Sequence, residues 1–372
     1  PELLSLYLKL GNLAQTELAD WTVALLTSDT VLARETGLRA AEKLRFFNGP
    51  IETHLYVFPV GDRTAHQPSQ QVAQDDALRN RLLKNLKLRQ KWLKKENIEA
   101  YRLYDADLPE FAIAIDCYGD SLHVPEYAPP NEIPEEKARQ RLMHALAVLA
   151  DVTGVPAERT VLKQRQRQRG KQQYERKDSA GDVFTIAEHG VNLQINLRDY
   201  LDTGVFLDHR PTRLWIQQHA KGKRFLNLFS YTGAATAHAL VGGAVSTTSV
   251  DLSRTYLNWA KDNLRHNGGQ VSGHHRFIQA DCMTWIEENN ETFDLIFMDP
   301  PTFSNSARMT DTLDIQRDHP GLIRAAMNSL ASDGVLIFSN NFRKFKLDPE
   351  LQALYDVKDV TQVSIPFDFK RS

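Results

Sequence analysis

The stretch Phe225-Leu-Asn-Leu-Phe-Ser-Tyr-Thr-Gly-Ala-Ala-Thr236 decides the fold of this chain of 372 residues. Its alternating apolar and polar residues are typical of a strand, and they lead through a polar turn into an alanine-rich helix over 234–240. Strand, tight turn and helix N-terminus form the first βα unit of a nucleotide-type sheet, where free backbone N–H groups face a ligand. Because the turn holds a single glycine, Gly233, an ordinary βα turn fits this stretch equally well.

Four further strands are predicted downstream, over 246–250, 276–279, 293–298 and 334–339. Acids follow three of them, namely Asp251, Asp281 and Asp299, and a helix is predicted to begin at Ser253. Strands that alternate with helices imply an α/β fold with a parallel sheet, whose ligand lies at the carboxyl ends of the strands. Several polar strand ends in succession therefore favour a binding site over an ordinary turn.

The residues around the first turn indicate which cofactor the sheet binds. A dinucleotide needs a glycine-rich approach to its pyrophosphate, and the turn at 229–233 is too bulky for that. The chain also lacks the G-x-x-x-x-G-K-[ST] motif that cradles a nucleoside triphosphate. Asp251, about twenty residues past the turn, is placed to accept hydrogen bonds from ribose hydroxyls. These features favour S-adenosylmethionine.

The motif Asp299-Pro300-Pro301-Thr302-Phe303 follows the predicted fourth strand. Two prolines restrict the φ angles of the loop, and Phe303 offers a ring on which a base taken out of its stack can lie. The motif therefore indicates methyl transfer to a planar nitrogenous base. A rigid turn with a buried ring is the alternative interpretation.

Four segments together resemble one known family. They are the runs 203–210, 225–236, 279–282 and 299–306. They closely resemble the C-terminal half of the bacterial bifunctional 23S rRNA guanine methyltransferase, over nearly the whole chain. In that family this half makes 7-methylguanosine, and a separate N-terminal half makes N2-methylguanosine. The resemblance implies a Rossmann-like class I S-adenosylmethionine-dependent methyltransferase fold with an α+β N-terminal subdomain.

The resemblance also implies roles for individual residues. Asp299, Pro300 and Phe303 would be catalytic, with Phe303 stacking on the base and Asp299 orienting either the cofactor amine or a guanine edge. Phe206 fits core packing equally well, and Asn227 departs from the acid that most members of the fold have early in this motif. Phe206, Asp208 and Arg210 would lie beside the cofactor or the RNA entry. The other residues expected to contact the cofactor are Asn227, Phe229, Ser230, Tyr231, Thr232, Gly233, Asp251, Ser253, Asp281, Cys282 and Asp299.

The chemistry of the target atom sets what the site must contain. Guanine N7 carries an in-plane lone pair and no proton, so its methylation needs alignment and desolvation but no general base. A site with Asp299 and Phe303 but without an obvious histidine fits this reaction. Two alternatives remain: a cytosine-C5 RNA methyltransferase, which needs a nucleophilic cysteine, and a non-catalytic RNA-binding module. The predicted fifth strand ends at Phe338-Ser-Asn-Asn341 without cysteine, which disfavours the first.

Composition bounds the class of protein. The chain is 42% hydrophobic, with 45 basic against 47 acidic side chains, which is typical of a globular protein of two or three domains. A net charge of −2 means that any RNA-binding surface must be local. Two cysteines, Cys117 and Cys282, give neither a disulfide framework nor the spacing of a metal site, and they fit the cytoplasm.

We predict four segments along the chain. Residues 1–60 read as a strand, a helix and a hairpin, and by resemblance they are the catalytically silent tail of an upstream methyltransferase half of the same polypeptide. A small accessory domain is the alternative. Residues 61–75 read as a linker, 76–200 as an α+β RNA-binding subdomain, and 201–372 as the Rossmann-like domain. A last strand is predicted over 360–365, and the sheet would then end one strand short of the family pattern.

Two basic stretches are candidates for RNA binding. In the first, four basic residues recur with period two and Lys171 follows, so in a strand the four would share one face: Lys163, Arg165, Arg167 and Arg169. We expect this segment to bind the phosphates of 23S rRNA, although a charged edge strand that blocks aggregation fits the same pattern. The second is a basic helix over 76–95, which a solvated surface explains at least as well.

Overall fold

The computed structural model describes residues 2–60, 70–127, 134–164, 183–200, 202–304 and 313–370. The chain divides into two compact units. The first, the N-terminal unit, holds Pro1–Trp92 and Tyr101–Arg167. The second, the C-terminal unit, holds Leu93–Ala100 and Gln168–Ser372.

The elements up to residue 164 include two sheets, with strand orders β1-β3-β2 and β4-β5-β6-β7. The strands are β1 (Thr22–Thr27), β2 (Glu42–Asn48), β3 (Ile51–Pro59), β4 (Ala100–Asp105), β5 (Ala114–Tyr118), β6 (Ser121–Glu126) and β7 (Thr160–Gln164). The helices are α1 (Glu2–Glu17), α2 (Thr30–Glu35), α3 (Gln70–Glu96) and α4 (Glu135–Thr153).

The predicted strand, helix and hairpin within residues 1–60 are confirmed, and β5 and β6 form a second hairpin. The linker predicted over 61–75 is wrong at its end, because α3 begins at Gln70. Leu4 and Leu32 share a hydrophobic core with Leu78 and Leu82 of α3. Residues 1–60 are therefore packed into the N-terminal unit, and their assignment to a preceding domain stays a prediction.

The C-terminal unit contains the remaining elements. Its strands are β8 (Val183–Glu188), β9 (Val191–Asn196), β10 (Arg224–Leu228), β11 (Ser246–Asp251), β12 (His275–Gln279), β13 (Phe293–Met298), β14 (Phe303–Ser304), β15 (Leu313–Asp314) and β16 (Leu330–Phe338). Its helices are α5 (Arg210–His219), α6 (Ala234–Val241), α7 (Arg254–His266), α8 (Cys282–Glu288), α9 (Ile315–Asn328), α10 (Pro349–Leu354) and α11 (Thr361–Ser364). Within the described ranges, none of the helices combines the length and the apolar character that crossing a bilayer requires.

The central sheet of this unit is parallel and has the order β12-β11-β10-β13-β16. All five predicted strands are present, and β16 begins four residues earlier than expected. The chain moves outward from β10 to β12 on one side and then returns to β13 on the other. The order therefore reverses between β10 and β13, and such a switch point opens a crevice at the carboxyl ends of the two strands.

The sheet is buried on both faces, as parallel sheets are. Phe225 of β10 packs with Ile216 of α5 and Ala235 of α6 on one face. Leu226 packs with Ile286 of α8 and Leu322 of α9 on the other. Successive strand residues point to opposite faces, so this alternation fixes the register and leaves the strand ends at one edge.

The strand predicted over 360–365 is wrong. Residues Thr361–Ser364 form the single turn α11, whose first N–H is capped by Asp359. Val363 is 77% exposed there. Pro366 follows, and Asp368 in the next turn is buried. The central sheet ends at β16.

Candidate active site

The loop after β10 holds a strained backbone. Phe229 and Tyr231 adopt φ angles of 55° and 49°, which lie in the left-handed region that favours glycine. The Tyr231 N–H donates to the Asp251 carboxylate at 2.8 Å, and the Ser230 N–H donates to the Val250 carbonyl at 3.0 Å. Strained residues of this kind persist only where surrounding contacts hold them, and they concentrate at functional sites.

Gly233 closes the loop and opens α6. Its φ is 70°, and a Cβ atom there would lie 2.6 Å from Cβ of Ala260 on α7, so no larger residue fits. The first N–H groups of α6 lack partners within the helix and face the switch point. Among the described residues, the buried Oγ of Ser230 has no hydrogen-bond partner. The loop thus retains donors for a polar ligand.

Asp251 ends β11 beside this loop. Its carboxylate accepts hydrogen bonds from the Tyr231 and Ser253 N–H groups, both at 2.8 Å. Burial raises the pKa of Asp251 to about 6, and these backbone N–H groups offset part of that effect. Ser253 caps α7, and its Oγ accepts from the Tyr256 N–H, so its side chain has a structural role.

Asp281 and Cys282 follow β12 but differ in exposure. Asp281 is partly exposed at the same sheet edge and caps α8 through the Met283 N–H. Cys282 is 3% exposed, and its Sγ accepts from the Phe229 N–H and donates to the Val250 carbonyl. Burial raises the pKa of this thiol well above its usual range. The Cys282 side chain therefore holds the turn together instead of facing a ligand.

Two more residues that we expected at the cofactor lie inside the protein. Asn227 is buried in β10 and donates to Oγ1 of Thr236, which in turn bonds to Ser249. Arg210 is 1% exposed and donates to the Asp368 carboxylate and the Ala100 carbonyl. Both side chains point into the packed interior, where their polar groups bond to other protein groups. We therefore no longer assign Asn227 and Arg210 as ligand contacts.

The segment before α5 lies against the loop after β10. Thr232 donates to the Gly204 carbonyl at 2.5 Å, and the Phe206 ring lies 5.1 Å from the ring of Tyr231. Phe206 is exposed, so its ring forms part of the surface and not of the core. Arg213 of α5 donates to the Phe206 carbonyl at 2.7 Å and so holds the segment before α5 in place.

Asp299 follows β13 on the other side of the switch point. Its Oδ2 lies 3.3 Å from Nε2 of His209, the residue just before α5. We expected no histidine at this site, and this pairing corrects that. The two residues are far apart in sequence, and only the packing of α5 against the sheet brings them together. The run Asp208-His209-Arg210 was the sole local sign.

The loop beyond Asp299 presents an aromatic ring. Pro300 is buried, whereas Phe303 is 60% exposed. Phe303 pairs with Asp314 in the short ladder of β14 and β15. The interpretation of this motif as a turn with a buried ring is therefore wrong.

A buried ionic cluster lies behind the site and was not expected from the sequence. Glu188 at the end of β8 accepts two hydrogen bonds from Arg213, at 2.6 and 2.8 Å. His238 of α6 lies 3.2 Å from the same carboxylate. The cluster fixes Arg213, which holds the segment carrying Phe206 and His209.

Lys163 is half-buried in β7 and pairs in register with Pro125. The rest of the proposed basic segment, Arg165, Arg167, Arg169 and Lys171, lies outside the described residues. The RNA-binding role of this segment stays a prediction.

Comparison with known proteins agrees with this geometry. Residues 112–347 match the family of S-adenosylmethionine-dependent methyltransferases. The chain belongs to this family, and its cofactor is S-adenosylmethionine, as predicted. Ribosomal RNA large subunit methyltransferase K/L from Hahella chejuensis is 51% identical over 381 residues, and that from Marinobacter nauticus is 50% identical over 386. All of this chain aligns with each of them, and it spans about half of their length, 53% in both cases.

Solved structures show the same fold. SMU.776, which was crystallised in complex with SAH (S-adenosyl-L-homocysteine), has a TM-score of 0.63 at 23% identity. The match covers 89% of this chain and 82% of the SMU.776 chain. A chain from Streptococcus mutans has a TM-score of 0.61 at 21% identity, over 99% of this chain and 93% of its own. The predicted Rossmann-like methyltransferase fold is confirmed.

The ionisation of Asp251 gives a testable pH dependence. A carboxyl group accepts hydrogen bonds from ribose hydroxyls through both of its oxygens only while it is ionised, and burial raises the pKa of Asp251 to about 6. We expect the affinity for SAH to be constant above pH 7 and to fall as the pH drops through 6. Calorimetric titration at several pH values measures this. In Asp251→Asn the affinity should be low and lose this pH dependence, and an unchanged profile would exclude Asp251 as the ribose contact.

Proposed function

We propose that this chain transfers a methyl group from S-adenosylmethionine to N7 of a guanine in bacterial 23S rRNA. One observation carries the proposal: the loop after β13 presents the exposed ring of Phe303 close in sequence to the Asp299 carboxylate at the switch point. An exposed ring offers a stacking surface for a flipped base. The names of the relatives, large-subunit rRNA methyltransferases, support RNA as the substrate.

The proposed mechanism relies on charge and alignment. Bound S-adenosylmethionine supplies an electrophilic methyl group on a sulfonium. The N7 lone pair forms the new bond as the sulfur–carbon bond breaks, so the positive charge moves to the purine. In this scheme Phe303 holds the base, Asp299 offers a negative charge to the purine cation, and the loop over 229–233 holds the cofactor.

Cytosine-C5 methylation is disfavoured because it needs a thiolate near the base. The chain has two cysteines. Cys282 lies in the core with a raised pKa, and Cys117 is buried in the N-terminal unit. Neither thiol is exposed at the edge of the sheet.

The direct test is methyl transfer from labelled S-adenosylmethionine into 23S rRNA that lacks the modification, followed by mass spectrometry of its nucleosides. We expect label in 7-methylguanosine. Label in 5-methylcytidine would support the C5 alternative. An absence of label together with retained RNA binding would support the non-catalytic module.

We further propose that residues 1–60 complete an upstream half of the polypeptide, the half that makes N2-methylguanosine in the family that the chain resembles. The relatives are about twice as long as this chain. One face of the β1-β3-β2 sheet exposes Leu26, Leu44 and Phe46, and an exposed apolar face of this kind marks an interaction surface. Hydroxyl-radical labelling of these residues should fall when the upstream half is present, and equal labelling would contradict the proposal.

The basic segment provides a prediction about RNA affinity. Replacing Lys163, Arg165 and Arg167 by Ala should weaken RNA binding and reduce the slope of log K against log salt by roughly one for each phosphate that the protein no longer neutralises. Filter binding at several salt concentrations measures this slope. The proposed site of action is the cytoplasm, where rRNA is made.

The matched control removes the same charge from another surface. Lys84, Lys87 and Lys91 are exposed on α3, and no ion pair involves them among the described residues. Their replacement by Ala should leave the slope unchanged if that helix is only solvated. An equal decrease in both triple variants would contradict a localised RNA site, and loss of SAH binding in the first would contradict its separation from the cofactor site.

A further inference from the structure

His209 occupies a fixed position between the two halves of the switch point. Its backbone N–H donates to the Phe206 carbonyl at 3.2 Å, and the same carbonyl accepts from Arg213. Its ring lies edge-on to Phe297 of β13, with 6.0 Å between centroids. Backbone and ring are both held, so Nε2 is directed at the Asp299 carboxylate.

Burial and a neighbouring negative charge disfavour the ionised form of Asp299, and only some of its neighbours stabilise that form. Its Oδ1 is buried and accepts no hydrogen bond from the described residues, and a buried, unpaired acceptor is costly. Burial raises the pKa of Asp299, and the like charge of Asp208 raises it further. His209 and Ser339, at the end of β16, lower it. Of these neighbours, His209 alone can carry the opposite charge.

We infer that His209 is a positioning residue, which keeps the Asp299 carboxylate charged and oriented toward the purine during methyl transfer. The inference rests on the proposed function for the identity of the base. His209 itself does not touch the base or the methyl group. Its effect is electrostatic, because the carboxylate must be negative when positive charge moves from sulfur to the ring. No proton is transferred in the step, so His209 and Asp299 end it in the state in which they began.

Two substitutions of His209 distinguish the loss of the whole side chain from the loss of the imidazole with a donor retained. His209→Ala removes the whole imidazole and with it the contact between Nε2 and Asp299 Oδ2, whereas His209→Gln retains a donor near the position of Nε2. We expect kcat to fall by about 10²-fold in His209→Ala and by less in His209→Gln, with the KM for S-adenosylmethionine unchanged in both. The acid limb of the pH profile should move to higher pH in both variants, since the group that lowers the pKa of Asp299 is lost. A purely structural role would not move this limb.

His219→Ala is the matched control. His219 is exposed at the other end of α5 and stacks on Trp215, with 3.9 Å between ring centroids. Its removal should leave both kcat and the pH profile unchanged. A similar fall in kcat in this variant would mean that damage to α5, and not loss of the pair with Asp299, explains the effect of His209→Ala.

A measurement without turnover distinguishes this inference from the proposed function. Carbon-13 NMR of labelled aspartate, assigned with Asp299→Asn, follows the Asp299 carboxyl directly. Its titration should move to higher pH in His209→Ala. If the wild type methylates guanine N7 but neither the titration nor the pH profile moves, the inference fails and the proposed function stands. If the wild type leaves N7 unmodified, the proposed function fails, and the titration still decides whether His209 keeps Asp299 charged.

Discussion

Asp299→Ala is expected to lower the rate of methyl transfer to RNA by roughly 10²- to 10³-fold, the loss typical of removing one group that stabilises transition-state charge. The residue lies at the carboxyl end of β13, beside His209 and in the same loop as the exposed ring of Phe303. Its removal leaves the purine cation without a facing negative charge. Single-turnover transfer from labelled S-adenosylmethionine measures the rate.

The control for this variant is an aspartate at the other end of β13. Asp294 lies at the opposite end of β13, where it pairs with Arg224 near the surface, so Asp294→Ala should retain nearly full activity. Calorimetric binding of SAH then assigns the role of Asp299. Retained affinity in Asp299→Ala would place it at the base, whereas an affinity loss as large as the rate loss would place it at the cofactor and contradict the charge argument.

Glu188→Ala is expected to lower the free energy of unfolding by about 3–5 kcal/mol, as is typical when one partner of a buried ion pair is removed. Glu188 is 1% exposed and holds Arg213 through two hydrogen bonds, with Arg210 at 3.5 Å. Without the carboxylate, two buried guanidinium groups lose a counter-charge. Denaturant unfolding at pH 7 measures the change.

An exposed ion pair of similar geometry provides the control. Arg276 donates two hydrogen bonds to Glu291 near the surface, and Glu291→Ala should cost no more than about 1 kcal/mol. If Glu188→Ala and Glu291→Ala lower the free energy of unfolding equally, burial does not explain the stability that Glu188 provides.

The stability due to Glu188 should also depend on pH. Burial alone would raise the pKa of Glu188, but Arg213 and His238 outweigh burial and bring it well below its usual range. A lowered pKa in the folded state contributes stability that is present above the unfolded value, about 4.3, and is lost as the pH falls through the folded value. The wild type should therefore lose more stability on acidification below pH 4 than Glu188→Ala does.

The strand ends were predictable because their signals are local. The run from an apolar strand through a polar turn into a helix indicated β10, Asp251 ends β11, and Asp281 and Asp299 come after β12 and β13, as predicted. Parallel strands connected by helices have their carboxyl ends at one edge. The approximate position of the site follows from that pattern without knowledge of any tertiary interaction.

Pairings between distant residues were not predictable from the same pattern. Asn227, Arg210 and Cys282 are next to site residues in sequence, yet their side chains point into the interior. His209 was overlooked because its partner Asp299 is far away in sequence, so the run Asp208-His209-Arg210 does not by itself identify that partner. The strand predicted over 360–365 failed for a related reason: Val360 and Val363 stay exposed in a short helical turn, and the burial that would favour a strand depends on tertiary packing.

The sequence by itself determined the α/β class, the five central strands, the choice of S-adenosylmethionine over a dinucleotide, and the edge where the acids lie. Tertiary structure alone decided that His209 pairs with Asp299, that Glu188 anchors Arg213, and that the Cys282 thiol is buried in the core. The physical reason is the range of each interaction. Backbone periodicity and turn chemistry act within a few residues, whereas side-chain pairing depends on which helix packs on which face of the sheet.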